Sequence, residues 1–212
     1  MREVGINVAF TKKTKEFLFD KGQSFKSCHA STLVLLDNGD ILAAWFGGSR
    51  EGMGDVAIWC SRRENGRWQS PVKIAHQDGI PHWNPVLFRR KDGIILMFYK
   101  VGHSVTQWHT IVMTSSDNGS TWSIPAALTD DGIGGRGPVK NKPIELDNGV
   151  LLAPASIESD CWNAFVDISY DQGKTWTKSE IVPVKHANQK KQNFGLSQAG
   201  EFLYKLRGKG II

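Results

Sequence analysis

The chain has 212 residues, of which 26 are basic, 21 are acidic and 40% are hydrophobic. That much apolar material can form a packed core and excludes a wholly disordered chain. The net charge of +5 does not describe a nucleic-acid surface: from Val184 onward there are six basic residues and one acid, leaving 20 of each sign elsewhere, whereas a nucleic-acid binder needs a basic stripe across its body.

The chain opens with MREVGINVAFTKKTKEFLF, which has neither an uninterrupted apolar stretch nor a small-residue cleavage site. No signal peptide is read there, and no later run approaches the roughly 20 apolar residues of a membrane span. Cys28, Cys60 and Cys161 are odd in number and far apart, with neither metal spacing nor a disulfide framework. A cytoplasmic, reducing address is the default expectation.

Next come paired apolar runs around turns. LLDNGDILAAWF turns at Gly39, RRKDGIILMFYK at Gly93 and ELDNGVLLAPAS at Gly149, at intervals of 54 and 56 residues. Asn-Gly and Asp-Gly between apolar runs predict hairpins with type I′ turns, positive φ at both central residues. A second element keeps the same step. SSDNGSTW (115–122) and SYDQGKTW (169–176) share S-x-D-x-G-x-T-W, and a degenerate copy, SRRENGRW, begins at Ser61. Trp68, Trp122 and Trp176 therefore recur every 54 residues.

Each unit reads as four short strands, in the second unit near 84–88, 94–100, 110–115 and 121–127. No stretch has a convincing helical period. Four strands per tandem unit predict β-propeller blades. The fold class is all-β, with blades over 27–76, 77–130 and 131–184. Residues 1–26 form a leading segment, with INVAF and KEFLF able to supply an outer strand to a last blade. Residues 185–212 form a basic linker and the start of a fourth blade. The octad is expected to be the turn between third and fourth strands. Ser115 and Asp117 (Ser169 and Asp171 in the next copy) would bond backbone N–H groups, Gly119 and Gly173 take left-handed positions, Thr121 and Thr175 complete the octads, and Trp122 and Trp176 pack between blades. A calcium loop is the weaker alternative, because the octad offers too few oxygen ligands.

This octad resembles the Asp-box, or bacterial neuraminidase repeat, of the sialidase superfamily. STLVLLDNGDILAAWFGGSREGMGDVAIWCSRR, WNPVLFRRKDGIILMFYKVG and GPVKNKPIELDNGVLLAPASIES resemble the bacterial predicted-neuraminidase group of BNR-repeat proteins. The resemblance implies a six-bladed propeller with its ligand site at one end of the central channel and structural Asp-boxes on the opposite face. About three blades are present, so further C-terminal blades and a fragment or truncated product are expected.

The resemblance also implies an arginine triad for a substrate carboxylate, an Asp acid/base and a Tyr nucleophile paired with Glu. The match is partial. His29 stands where the family's first arginine would be. Arg50 and Asp55 in GSREGMGD keep the spacing of the second arginine and the acid, with Glu51 beside them. Glu158 in PASIES is the candidate Glu partner, and Arg207 a weak triad candidate. None of Tyr99, Tyr170 or Tyr204 matches the nucleophile. Aromatic faces and amide or ammonium donors suit a sugar. Trp83, Asn84, Lys100, Trp108, Lys142 and Trp162 are therefore candidate pocket residues, with Asn141 nearby, although the tryptophans equally suit inter-blade core. Asp55 equally suits a loop cap, and His29 a core histidine.

The leading expectation is a sialidase-like glycoside hydrolase on a terminal acidic sugar. A uronic-acid glycosidase or lyase, and a non-catalytic carbohydrate-binding fragment, are the alternatives. No nucleotide motif or metal-ligand cluster is read, so no cofactor is expected. The expected partner is a glycan or acidic sugar substrate, and neither a nucleic-acid partner nor a membrane span is expected.

Overall fold

The computed structural model describes residues 15–20, 22, 25–132, 134–158 and 162–182. Residues 1–14, the tail with Tyr204 and Arg207, and Cys161 lie outside them, and for Glu158 and Trp162 only the backbone is described. The described residues contain no helix and form three antiparallel sheets in chain order. The first has β1 (Ser27–Leu35), β2 (Ile41–Gly48) and β3 (Ala57–Glu64), with β4 (Arg67–Trp68) and β5 (Val72–Ala75) both pairing with β3. The second runs β6 (His82–Arg89), β7 (Ile95–Val101), β8 (His109–Ser115), β9 (Ala126–Ala127). The third runs β10 (Ile144–Glu145), β11 (Leu151–Glu158), β12 (Trp162–Ser169), β13 (Thr177–Lys178). None of these sheets closes on itself. Lys15–Phe19, read as a possible outer strand, is irregular and lies over the first sheet, where Phe19 meets Trp45 at 5.2 Å.

The middle sheet is buried on both faces, which explains why β7 is apolar at almost every position. Side chains alternate across a strand. Ile95, Met97 and Tyr99 therefore join Leu42, Ala44 and Phe46 of the first sheet in one core. Leu96 and Phe98 join Leu151, Ala153 and Trp176 of the third in another. Each fully buried Leu, Ile or Phe contributes about 1.5–3 kcal/mol. A one-residue slip of β7 would exchange the two cores.

The turns at Gly39, Gly93 and Gly149 differ from the type I′ expectation. Only the glycine has positive φ in each, at 84°, 90° and 82°. Gly39 N–H donates to Leu36 O, and Leu36 N–H to Asp40 O, at 3.0 and 2.9 Å; the other two turns repeat this pattern. These are three-residue loops, a type I turn followed by a left-handed glycine. The cause is the side chain before the glycine. Asn38, Asp92 and Asn148 each accept the N–H two residues on, at 3.1, 3.1 and 3.2 Å, which holds that residue out of the left-handed region. Pairs of positive φ fall instead in the octads, at Asn65 and Gly66, Asn118 and Gly119, and Gln172 and Gly173; in the degenerate copy Glu64 pairs directly with Arg67.

The two complete octads have one geometry. Ser115 Oγ–H donates to Asp117 Oδ1 and accepts Gly119 N–H, both at 2.7 Å. Asp117 accepts Thr121 N–H at 2.9 Å and Thr121 Oγ–H at 2.6 Å. Ser169, Asp171, Gly173 and Thr175 repeat the set. Each turn leans on the preceding sheet. A Cβ on Gly119 would lie 2.5 Å from Leu42 Cδ2, and Arg62 donates to Asn118 O and to Ser120 Oγ. Arg90 likewise reaches Gln172 O at 2.8 Å. Trp122 packs against the first core and Trp176 within the second.

These hydrogen bonds hold the Asp117 carboxyl well below the usual range and draw that of Asp171 down to about 2. A depressed carboxylate pKa stabilises the folded state above the unfolded value of about 3.9 and loses that contribution as pH falls through the folded value. The melting temperature should therefore fall as pH drops from about 4 to 2. Asp171→Asn should lower stability at neutral pH and flatten that acid limb; an unchanged limb would refute the assignment.

Candidate functional site

The first strands of the first two sheets break register at the same place. The β1–β2 ladder shifts between His29 and Thr32, and the β6–β7 ladder between Trp83 and Val86. Ala30 and Asn84 have φ of 54° and 43°. Asparagine tolerates that region, whereas alanine there costs about 1–2 kcal/mol. Bulges re-aim side chains next to binding sites. Both Ala30 and Asn84 lie nine residues before their turn glycines, and Lys140 lies nine before Gly149. The three sheets thus present equivalent positions to one another.

Those positions line a cleft of about 420 Å³. Its walls are His29–Ser31, Asn84–Pro85, Val139–Lys140 and Glu51. Glu51 Oε2 lies 3.6 Å from His29 Nδ1, and both side chains reach solvent. The cleft therefore joins a carboxylate, an imidazole, an amide and an ammonium. Val139 and Pro85 supply apolar wall.

The loop that presents Glu51 is clamped from two sides. Ser49 donates both its N–H and its Oγ–H to Asp55, each at 2.8 Å, and these bonds pull the Asp55 carboxyl below its ordinary range. Gly52 sits on the Trp83 ring, where an added Cβ would come within 3.2 Å of Cη2. The Trp83 indole N–H donates to Gly102 O at 2.8 Å.

Of the residues expected at a pocket, His29, Glu51 and Asn84 meet in the cleft, and five others are placed differently. Asp55 is the cap of the Ser49–Asp55 loop. It is outside the cleft lining, and both its carboxylate oxygens are taken by Ser49. Arg50 turns its guanidinium to Met53 Sδ at 3.5 Å, also outside the lining. Lys100 is fully buried. Its ammonium donates to Thr110 Oγ at 2.6 Å and to Arg136 O, and lies 5.6 Å above the Trp108 ring. Trp108 is itself buried, edge-on to Trp83 at 6.1 Å, so it belongs to the interior. Lys142 donates to Leu33 O at 2.7 Å, Leu87 O at 2.5 Å and Thr32 Oγ at 3.3 Å, which ties the first two sheets together. Burial lowers its pKa to about 8. Glu158 and Trp162 pair with each other across β11 and β12.

Lys140 does not stand out in the sequence, because Asn141 and Lys142 of KNKP carry similar donors; its place nine residues before the turn glycine is the signal that marks it. Arg136 and Asp167 do not stand out either. Arg136 Nε–H donates to the buried Asp167 at 2.7 Å, and Gly137 N–H does so at 2.6 Å. Neither residue falls in a repeated motif. Among the described residues no cluster of His, Cys, Asp or Glu is placed to hold a metal ion.

The BNR repeat-like domain family matches residues 39–202, most of the chain. The chain belongs to the BNR repeat-like family. No curated protein matches it significantly in sequence. Among solved structures it is similar to a protein of unknown function from Dyadobacter fermentans, at 18% identity and a TM-score of 0.61, over 75% of this chain and 56% of that one. It is similar to the NanB sialidase of Streptococcus pneumoniae (K499G mutant), at 10% identity and a TM-score of 0.65, over 82% and 47%. It is also similar to the leech intramolecular trans-sialidase, at 12% identity and a TM-score of 0.62, over 79% and 46%. The chain spans about half the length of these structures. Identities this low show a sialidase-type fold and no more. In this BNR repeat-like protein the cleft lies between the first strands of the first two sheets and the segment that precedes β10.

Proposed function

We propose that this chain supplies three blades of a sialidase-type propeller that cleaves the glycosidic bond of a terminal acidic sugar in the His29–Glu51 cleft. The observation that carries this reading is the Glu51 carboxylate 3.6 Å from the His29 ring, in a cleft whose polar lining also includes Asn84, Lys140 and Ser31. The Lys140 ammonium holds the sugar carboxylate as a point charge, and the Asn84 amide donates to the same group or to a hydroxyl. Glu51 gives its proton to the glycosidic oxygen as the bond to the anomeric carbon breaks. It recovers a proton from the water that adds to that carbon. His29 orients the Glu51 carboxylate.

A lyase on uronic-acid linkages is the second reading. It is favoured by the imidazole itself, which can take the C5 proton, and by the lack of any arginine among the described cleft residues. That route yields a 4,5-unsaturated product that absorbs in the ultraviolet, which hydrolysis does not.

The test incubates the protein with α-sialosides, glucuronides and matched neutral glycosides, following both product release and ultraviolet absorbance. Release from acidic glycosides alone supports the hydrolase. New absorbance transfers the case to the lyase. Equal cleavage of neutral glycosides, or cleavage of none, overturns both. Lys140→Met should raise KM for acidic substrates by about 10- to 100-fold, the range for a charge-assisted hydrogen bond, and leave KM for their methyl esters nearly unchanged.

A further inference from the structure

The turn that follows β5 is a pedestal for the Glu51 loop. A Cβ on Gly54 would lie 2.8 Å from the Gly79 backbone, and His82 N–H donates to Val56 O at 3.3 Å. The loop thus rests on this turn as well as on the Trp83 ring. Two histidines hold the turn. His76 Nε2–H donates to Asp78 Oδ1 at 2.8 Å. His82 Nδ1 lies 3.0 Å from Ile80 O; a carbonyl oxygen can only accept, so Nδ1 carries the proton and a second one must go to Nε2. His82 is 3% exposed and stacks on the buried Tyr99 ring at 5.7 Å, with 17° between the planes. The His76 ring lies 6.0 Å from that of His82. A hollow of about 260 Å³ beside β5 is lined by His76, Tyr99 and His109, among others, and brings solvent to the cluster.

Resting on the acidic-sugar reading only for its effect on turnover, we propose that this turn is an acid-sensitive support, which releases the Glu51 loop when His82 takes a second ring proton. The ionisable groups around His82 are His76 on the turn, Tyr99 on β7 and His109 on β8. A neutral phenol offers no countercharge to an imidazolium, and the other two rings repel it once they are protonated. The nearby acids, Asp78 and Asp55, act on His76. Burial holds the His82 imidazole below its ordinary value, with His76 and His109 pushing the same way against the Ile80 bond. The closed turn therefore excludes a proton that the open turn binds below about pH 6.5, the ordinary imidazole value, and closure weakens as pH falls. The Ser49 clamp takes no part in this response. Its Asp55 carboxyl is drawn below the ordinary range and stays ionised at about pH 5 and above.

The test is amide hydrogen exchange on the intact chain, followed residue by residue from about pH 7 to about pH 5 and corrected for the intrinsic pH dependence of exchange. The amides of Val56 and His82 should lose protection on acidification by an amount approaching about tenfold per pH unit, the limit for one proton. The Thr121 amide, held by Asp117 in the second sheet, should keep its protection. His82→Phe keeps the stack on Tyr99, gives up the Ile80 bond and cannot take a proton, so it should abolish the acid response. His76→Gln removes one repelling ring and should shrink the response without abolishing it. A loss of protection shared equally by Thr121 would mark general unfolding and overturn the proposal. So would a wild-type response in a folded His82→Phe or, should that variant fail to fold, an undiminished one in His76→Gln. Exchange is read without substrate, so a flat response would overturn the support and spare the acidic-sugar reading, whereas failure to cleave any glycoside would spare the support.

Discussion

Replacing Asp167 with alanine is expected to cost about 3–5 kcal/mol of stability, the range for breaking one side of a buried ion pair. Asp167 is completely buried in β12, and burial pushes its carboxyl above the usual range, against the pull of Gly137 N–H and the Arg136 charge. Without it, the Arg136 guanidinium keeps only Asp131, at 2.7 Å, and Trp176 O, at 3.0 Å. Gly137 N–H loses its acceptor. The damage spreads, because Arg136 O also receives the buried Lys100 ammonium. One side chain of the third sheet thus orders the connection between β9 and β10 and, through it, a cation of the second sheet. Denaturant unfolding of wild type, Asp167→Asn and Asp167→Ala should show midpoints falling in that order. Asparagine keeps an acceptor for Gly137 but not the charge. The double variant Arg136→Met with Asp167→Leu should recover part of the loss, since an apolar pair of similar volume avoids the desolvation of both ions. An Asp167→Ala midpoint close to wild type would refute this account.

Glu51→Gln is expected to lower kcat by about 10²- to 10⁴-fold, the contribution of a positioned general acid–base group, with KM changed little. Gln fills the same volume and keeps the contact with His29, so a folded variant is expected, with an unaltered melting temperature. Asp55→Asn should behave differently. It loosens the Ser49 clamp, lowers the melting temperature, and reduces turnover less than Glu51→Gln, because its effect reaches the bond only through the loop. A larger loss of turnover in Asp55→Asn than in Glu51→Gln would return the acid–base role to Asp55. The pH profile separates the two further: Glu51→Gln should remove one limb of the rate profile, while Asp55→Asn should keep both limbs.

Most of the architecture was legible because it is written in repeats. The spacing of Trp68, Trp122 and Trp176, and of Gly39, Gly93 and Gly149, set the number and length of the strand groups. The Ser, Asp, Gly and Thr of each octad act within eight residues, so their bonds follow from local sequence. Turn type was less legible. An Asn-Gly pair reads as type I′, yet Asn38 and Asn148 keep ordinary φ because each side chain accepts a nearby N–H, whereas Asn65, between directly paired strands, does take positive φ.

The site divides along the same line. His29, Glu51 and Asn84 line one cleft; Asn84 and Lys140 share one count back from their turn glycines, whereas Glu51 lies on the loop after β2. Residue type alone misdirected the rest. A lysine is a carboxylate ligand or an internal strut according to what its ammonium meets, and Lys100 and Lys142 meet backbone carbonyls and hydroxyls from distant parts of the chain. An Asp five residues after an Arg looks like an acid/base, but Asp55 faces its own loop. Sequence by itself determined the all-β repeat, the strand spacing and the local turns, because these depend on contacts between near neighbours. Tertiary structure alone decided which charged side chains face the cleft and which are buried between sheets. That depends on long-range packing, which no short stretch of sequence encodes.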